Sequence, residues 1–242
     1  MNSTYKCKVS DLIEVSPLVK TIRLDLGGKP FSFQAGQYII LGVDLSKSDR
    51  FKVLYDKESF QERPFSISSN PLQTDSMEIT VVNTDNGFMT DYFLNYLTQG
   101  TQVDVDGPLG EFFFQESRGT KYVMLLGAGS GIMPLISMAS YIADKGLETK
   151  VHMLFSFQNQ EKIILRDKIR KLSEKPNISS NITLTRDVWE GSTGRIDQKM
   201  IKDSGFPLEE TDFYICGPSS FKKDVEEILT REYNVSRDQI FK

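Results

Sequence analysis

The chain has 242 residues, 39% apolar and 26% charged, with a net charge of −4, a soluble globular balance for one large or two ordinary domains. It lacks the basic footprint of a nucleic-acid binder and the run of about 18 apolar residues that a membrane-spanning helix needs, and residues 1–6 carry no apolar signal core, so a cytoplasmic protein is expected. His152 is the only histidine and Cys7 and Cys216 the only cysteines, which excludes a histidine-based triad, a His-rich metal site and a four-cysteine iron–sulfur or zinc site and leaves any hard chemistry to an organic cofactor.

Residues 1–118 read as β-rich. Segments 7–10 and 19–26 alternate polar and apolar side chains, as half-buried strands do. Gly27-Gly28-Lys29-Pro30 is a turn, and Ala35-Gly36 turns the chain into a buried strand over 37–41. Residues 44–62 are polar and charged, a solvated loop or a docking loop beside a ligand. Then comes Arg63-Pro64-Phe65-Ser66-Ile67-Ser68, where a rigid proline and a period of two predict a strand that presents a hydroxyl row, Ser66 and Ser68, beside a cation. A guanidinium fork binds phosphate well, so this strand suits a ligand with an anionic end and a flat polar end. Residues 77–82 alternate again and include Val81. Asn86-Gly87 marks a turn, and Phe88, Tyr92, Phe93, Tyr96 and Leu97 recur at helical spacing. A helix that starts just after a glycine can bind phosphate through its free N–H groups and dipole. Residues 101–114 close the β-rich part, and the polar joint 116–120 marks a domain boundary.

From residue 121 the pattern changes. Residues 122–126 are continuously apolar, the mark of a strand buried in a parallel sheet. Gly127-Ala128-Gly129-Ser130-Gly131-Ile132-Met133-Pro134 follows at once, then an apolar helix over 135–145. Strand, glycine loop and helix are the context of a nucleotide-binding turn. Here Pro134 stands in place of a third spaced glycine, so this is not the standard dinucleotide fingerprint. A second strand over 150–157 contains His152, read as an ordinary strand histidine. An amphipathic helix is expected over 161–172, a third strand over 181–187, a turn through Trp189 and Gly194, a fourth strand over 212–216 that ends in the Cys216 thiol, and a helix over 221–233. Alternating strands and helices imply right-handed crossovers, with ligands at the strands' carboxyl ends.

Four elements, in order, resemble the ferredoxin–NADP reductase family. Arg63-Pro64-Phe65-Ser66 is similar to its Arg-x-Tyr-Ser flavin signature, with phenylalanine for the usual tyrosine. Gly87-x-x-Thr90 resembles the Gly-x-x-Ser pyrophosphate element, residues 127–134 the Gly-x-Gly-x-Gly-x-x-Pro loop, and Cys216-Gly217-Pro218 the element lining the nicotinamide. Residues 35–38 resemble a Pro-Gly-Gln-Tyr element of the same family. The resemblance implies an N-terminal antiparallel, Greek-key β-barrel that binds FAD over 1–118 and a C-terminal α/β nucleotide-binding domain with a parallel sheet over 119–242. It implies FAD as cofactor and NADH or NADPH as donor, with Ser66 at flavin N5 and Cys216 beside the nicotinamide as catalytic groups. Flavin-binding residues would be Arg63, Pro64, Phe65, Ser66, Ser68, Val81, Gly87, Met89 and Thr90. The nucleotide would lie on Gly127, Gly129, Ser130, Gly131, Pro134, Thr185, Arg186, Cys216, Gly217 and Pro218.

No acidic residue ends 151–157, so the usual ribose carboxylate is missing there, and Asn159-Gln160-Glu161-Lys162 with Leu165-Arg166 resembles NADH-using cytochrome reductases. Thr185-Arg186, in contrast, resembles the Ser-Arg pair that grips a 2′-phosphate. The expected acceptor is a ferredoxin, flavodoxin, cytochrome or oxygenase component, or an iron–sulfur domain outside this chain. One alternative is a free-flavin reductase, which the stretch 7–71 also resembles; the other is a binding module on the same fold, since fold does not fix function. Family members commonly carry a terminal aromatic over the flavin. Residues 235–242 depart from that pattern, and Phe241 is expected to be a strand residue.

Overall fold

Side chains that alternate in and out at every second position can close a sheet around one core. The chain does this first. The computed structural model describes residues 4–47, 60–83 and 87–242 and divides the chain into two units, Met1–Phe113 and Phe114–Lys242. Most of the polar stretch 44–62 and the Asn86 turn fall on residues 48–59 and 84–86, outside the described residues.

In the first unit the strands are β1 (Thr4–Ser16), β2 (Val19–Asp25), β3 (Tyr38–Asp44), β4 (Phe60–Ser66), β5 (Ser76–Val82) and β6 (Gln102–Leu109). They pair antiparallel in the order β4-β3-β6-β1-β2-β5. Beyond β4, Ile67 bridges Ile79 of β5, and the Ser68 N–H donates to Glu78 O at 2.8 Å. The last strand is thereby joined to the first, and the sheet becomes a Greek-key barrel. Ile22 and Leu24, Ile39 and Leu41, Met77 and Ile79, and Val103 and Val105 form its buried interior. Helix α1 (Phe88–Asn95) adds Met89, Tyr92 and Phe93 to that core.

In the second unit β7 (Tyr122–Ala128), β8 (Lys150–Phe157), β9 (Ile178–Leu184), β10 (Ser192–Thr193), β11 (Thr211–Cys216) and β12 (Ile240–Phe241) form a parallel sheet in the order β10-β9-β8-β7-β11-β12. The helices are α2 (Ile132–Lys145), α3 (Arg166–Ser173), α4 (Gln198–Lys202) and α5 (Ser219–Glu227). Residues 123–126 are all fully buried, as a strand covered on both faces requires. The chain steps outward from β7 through β10, then returns to place β11 on β7's other side. The strand order therefore reverses between β7 and β11. No helix among the described residues is long and apolar enough to cross a membrane.

Two helices differ from the sequence pattern. The helix expected over 161–172 starts at Arg166, after a short 3-10 turn at Gln160–Lys162. Ile163, Ile164 and Leu165 are consecutive and all buried. Three adjacent side chains sweep too wide an arc for one helix face, so the chain passes through them in non-helical conformations, with Leu165 at φ 54°. The helix expected over 221–233 begins at Ser219 and continues after Glu227 as a π-helical turn, Ile228–Glu232.

At the amino end of β11, Asp212 is 3% exposed. Arg118 donates to it from Nε (2.9 Å) and Nη2 (3.2 Å), and Thr120 Oγ1 donates at 2.5 Å. Phe241 is indeed a strand residue, in β12, stacked on Tyr214 with centroids 4.6 Å apart. The polar segment after Phe114 is thus tied to the sheet by charge and hydrogen bonds.

His152 is a buried residue of β8. Its Nδ1 shares a hydrogen bond with Ser179 Oγ at 2.8 Å, and its Nε2 is buried with no hydrogen-bond partner among the described residues. Burial holds its pKa below the ordinary 6.5. As pH falls through 6.5, the unfolded chain takes up the proton and the folded chain does not, so stability is lost toward acid. A His152→Leu protein is expected to lose less stability between about pH 7 and about pH 5.5, as read from urea midpoints. Parallel pH curves for the two proteins would contradict this.

Candidate functional site

Each unit carries a candidate ligand site of its own. In the first, β4 pairs with β3 so that Arg63 lies opposite Leu41 and Ser66 opposite Tyr38. The period of two puts Arg63 on the same side as Phe65, not beside the hydroxyls. The Arg63 guanidinium carbon stands 5.1 Å from the ring centroid of Phe88, the first residue of α1. Phe65 meets Phe93 of the same helix edge to face, at 5.4 Å and 87°. The expected hydroxyl row beside a cation is therefore corrected. Ser66 is half-buried at the end of β4, and Ser68 is 1% exposed, its Oγ 2.9 Å from Thr80 Oγ1 where the chain crosses to β5. What the cation meets is the start of a helix.

Gly87 is the N-cap, and a glycine brings no capping side chain of its own. Thr90 Oγ1 donates back to Gly87 O at 2.7 Å. The first-turn carboxylate of Asp91 is turned along the helix, where it accepts from Asn95 Nδ2 at 2.7 Å. Pro64 is exposed on the strand. Val81 and Met89 are 1% and 3% exposed, so their side chains belong to the core. Tyr38 lies across from Ser66, and Gln37 holds the turn beyond β6 by donating to Gly110 O at 3.0 Å.

In the second unit the glycine loop leaves β7 as a 3-10 turn, Gly129–Gly131, and enters α2. Gly129 has φ +55°, which favours glycine. A Cβ on Gly131 would lie 2.5 Å from both the carbonyl carbon and oxygen of Cys216 and 2.6 Å from the nitrogen of Gly217. The loop thus presses on the Cys216–Gly217 peptide, and the two motifs, 85 positions apart, become one surface. Gly127 is also crowded, though less so, a Cβ there falling 2.9 Å from Ile132 and Leu135 side-chain carbons. Gly217 takes φ +153°. Ser130 is exposed on the turn. Pro134 falls in the first turn of α2, where a missing N–H leaves no broken bond. Pro218 opens α5, and its carbonyl accepts from Lys222 N at 3.0 Å. Cys216 is half-buried, and burial pushes its thiol pKa up, so it keeps its proton at neutral pH. Both loops stand at strand carboxyl ends where the strand order reverses, the place where open α/β sheets bind ligands.

Thr185 and Arg186 leave β9 at the same edge and are exposed. Their N–H groups donate to Phe157 O (2.9 Å) and Gln158 O (2.8 Å). Asp187 Oδ2 accepts from Gln160 N at 3.4 Å, so a carboxylate does stand at the end of β8, supplied by the next strand's exit. Phe88 and Phe93 were not legible as neighbours of the site. Only a helix start after a glycine hinted at the former.

These two parts match two known domains. The family model for the oxidoreductase FAD-binding domain matches residues 6–114, and that for the oxidoreductase NAD-binding domain matches residues 125–227. The chain belongs to the ferredoxin–NADP reductase superfamily. It pairs an FAD-binding with an NAD-binding oxidoreductase domain, with FAD as its flavin. A flavohemoprotein of Rhodopirellula baltica is 26% identical, over 99% of this chain and 60% of that protein. The phenol hydroxylase P5 protein of Acinetobacter pittii is 26% identical, over 88% and 58%. A stachydrine N-demethylase reductase subunit of Rhizobium meliloti is 29% identical, over 72% and 51%. The chain spans about half to three-fifths of the length of these relatives. In fold it is similar to the FAD/NAD-binding domain of nitric oxide dioxygenase from Vibrio cholerae, with a TM-score of 0.84 and 21% identity over 98% of this chain and 96% of that one. It is also similar to a ferredoxin NADP+ reductase from Neisseria gonorrhoeae with bound FAD and NADP, with a TM-score of 0.75 and 23% identity over 96% and 92%.

The residues of this chain fit such ligands. A helix start led by a glycine beside a guanidinium suits a pyrophosphate. A glycine turn whose space any Cβ would fill lets a ligand approach the backbone. Gly131→Ala must displace the Cys216–Gly217 peptide. It is expected to lower stability by about 1–3 kcal/mol and to slow anaerobic flavin reduction by NADH or NADPH while leaving bound flavin in place. Unchanged stopped-flow reduction would show that the contact does not shape the nicotinamide site.

Proposed function

We propose that the reductase takes hydride from NADH or NADPH and passes electrons through FAD to a separate redox protein, such as a ferredoxin, flavodoxin, cytochrome or oxygenase component, or to an iron–sulfur domain outside this chain. In this reading residues 1–118 hold FAD and residues 119–242 hold the nicotinamide nucleotide. The flavin, when bound, accepts two electrons as hydride and can release them onward. Arg63 and the first turn of α1 with Gly87 and Thr90 bind its phosphates by charge-assisted hydrogen bonds and helix dipole. Phe65, braced by Phe93, supplies an apolar wall without the hydrogen bond a tyrosine would add. Ser66 offers a hydroxyl toward the flavin, and Ser68 contributes by fixing the strand crossing behind it. The glycine loop, with Ser130 and Pro134, takes the pyrophosphate of the nucleotide. Cys216, as a neutral thiol, packs and orients the nicotinamide with Gly217 and Pro218, while Thr185 and Arg186 meet the adenosine end.

The observation that carries this reading is Arg63 standing at the start of α1, two phosphate-binding devices in one place. It favours a retained dinucleotide flavin over the free-flavin reductase alternative. The names of relatives add weight to a protein acceptor: several are reductase components or subunits, of a phenol 2-monooxygenase, a glycine betaine monooxygenase and a stachydrine N-demethylase.

Arg63→Ala is expected to weaken FAD binding by about 1.5–3 kcal/mol and to leave riboflavin binding nearly unchanged, as measured by flavin fluorescence titration. Equal loss for both flavins would remove Arg63 from the phosphate site. Steady-state turnover with ferricyanide, cytochrome c, a ferredoxin, a flavodoxin and free FMN, each across a salt series, tests the acceptor. A protein acceptor is expected to do best and to lose rate as salt rises. If FMN is by far the best and salt changes no protein acceptor's rate, the free-flavin reading replaces this one.

A further inference from the structure

Lys20 lies on the face of β2 that sends Ile22 and Leu24 into the barrel. Its side chain is only 12% exposed. A nearly buried ammonium needs a partner. Glu14, on the neighbouring strand, is 3.9 Å away and 82% exposed, a solvent-screened pair that contributes little. The close partner is a backbone carbonyl: Lys20 Nζ donates to Leu94 O at 2.5 Å. Leu94 is in the last turn of α1, where carbonyls have no intrahelical donor. Tyr92 O already accepts from the Tyr96 and Leu97 N–H groups, so Lys20 takes an acceptor that the helix end leaves open.

The eight residues of α1 span about 12 Å. One end carries Lys20 and the other carries Arg63 and the glycine-led first turn. A cation at the carboxyl end complements the helix dipole. It also fixes where a short helix ends, and therefore where its first turn begins. The packing of Met89, Tyr92 and Phe93 holds the helix against the core, and the Lys20 bond fixes its carboxyl end.

We propose that Lys20 is a positioning residue for FAD: by anchoring the carboxyl end of α1 it sets the helix start that, with Arg63, meets the flavin phosphates. This rests on the reading of Arg63 and α1 as the phosphate site. A lysine that served only the barrel would affect every flavin alike. One that acts through α1 affects flavins in proportion to their phosphates.

The test is the Kd of FAD, FMN and riboflavin for the full chain stripped of flavin, in wild type, Lys20→Met, Lys20→Arg and Arg63→Ala. Lys20→Met keeps the apolar stem and is expected to lose about tenfold in FAD affinity relative to riboflavin. Lys20→Arg restores the donor and the charge and is expected to keep the wild-type preference. Equal loss for all three flavins, or no loss, overturns the proposal. If Lys20→Met does not fold, the shorter, uncharged Lys20→Gln replaces it with the same two outcomes. If wild type shows no preference for FAD over riboflavin, or Arg63→Ala keeps that preference, the phosphate-site reading itself has failed. If Arg63→Ala loses the preference and Lys20→Met does not, only the role of Lys20 is refuted.

Discussion

The contact between Gly131 and the Cys216–Gly217 peptide is the constraint on which the second unit's chemistry depends. Parallel pairing sets β7 and β11 side by side, with Gly127 opposite Cys216, and neighbouring strands lie about 4.8 Å apart. Two loops must leave that narrow place, one bending into α2 and one into α5. The space between them admits a hydrogen and not a methyl group. Several sequence features follow from this packing. Gly217 must take a backbone angle that other residues avoid, Gly127 must let α2 approach the sheet, and Cys216 must stop half-buried with its thiol neutral.

In the first unit the equivalent constraint is the crossing at residues 67–70. Ile67 still bonds to β3's side, its N–H donating to Gln37 O at 3.0 Å, while the Ser68 N–H donates to Glu78 O on β5. The crossing closes the barrel and ends β4 at Ser66. It also consumes Ser68 and Ser69: the Ser68 hydroxyl bonds to Thr80, and Ser69 Oγ accepts from Glu78 N at 3.1 Å. The hydroxyl residues of this stretch therefore divide into one near the strand end and two that hold the fold. Helix α1 is placed by the same barrel, with its aromatic side chains against Phe65 and Arg63. A structural helix thus presents its positively polarised end next to a guanidinium.

The local sequence by itself determined the element types, the barrel-then-sheet order, and the four short motifs. Alternation every two residues, continuous apolar strands and a glycine loop between strand and helix are local patterns, set by which side of a strand or helix each residue occupies. Tertiary structure alone decided the rest. It broke the helix expected at 161, because three successive apolar residues all had to be buried. It gave Arg63, which strand parity already puts on the side of Phe65, the Phe88 ring of the helix as a neighbour. It joined residue 131 to 216, 63 to 88 and 20 to 94. Those pairs meet through sheet order and helix placement, and no local pattern encodes a neighbour that is 25, 74 or 85 positions away. A pairwise contact of that kind depends on how whole strands and helices pack to fill one core, and only the folded chain specifies it.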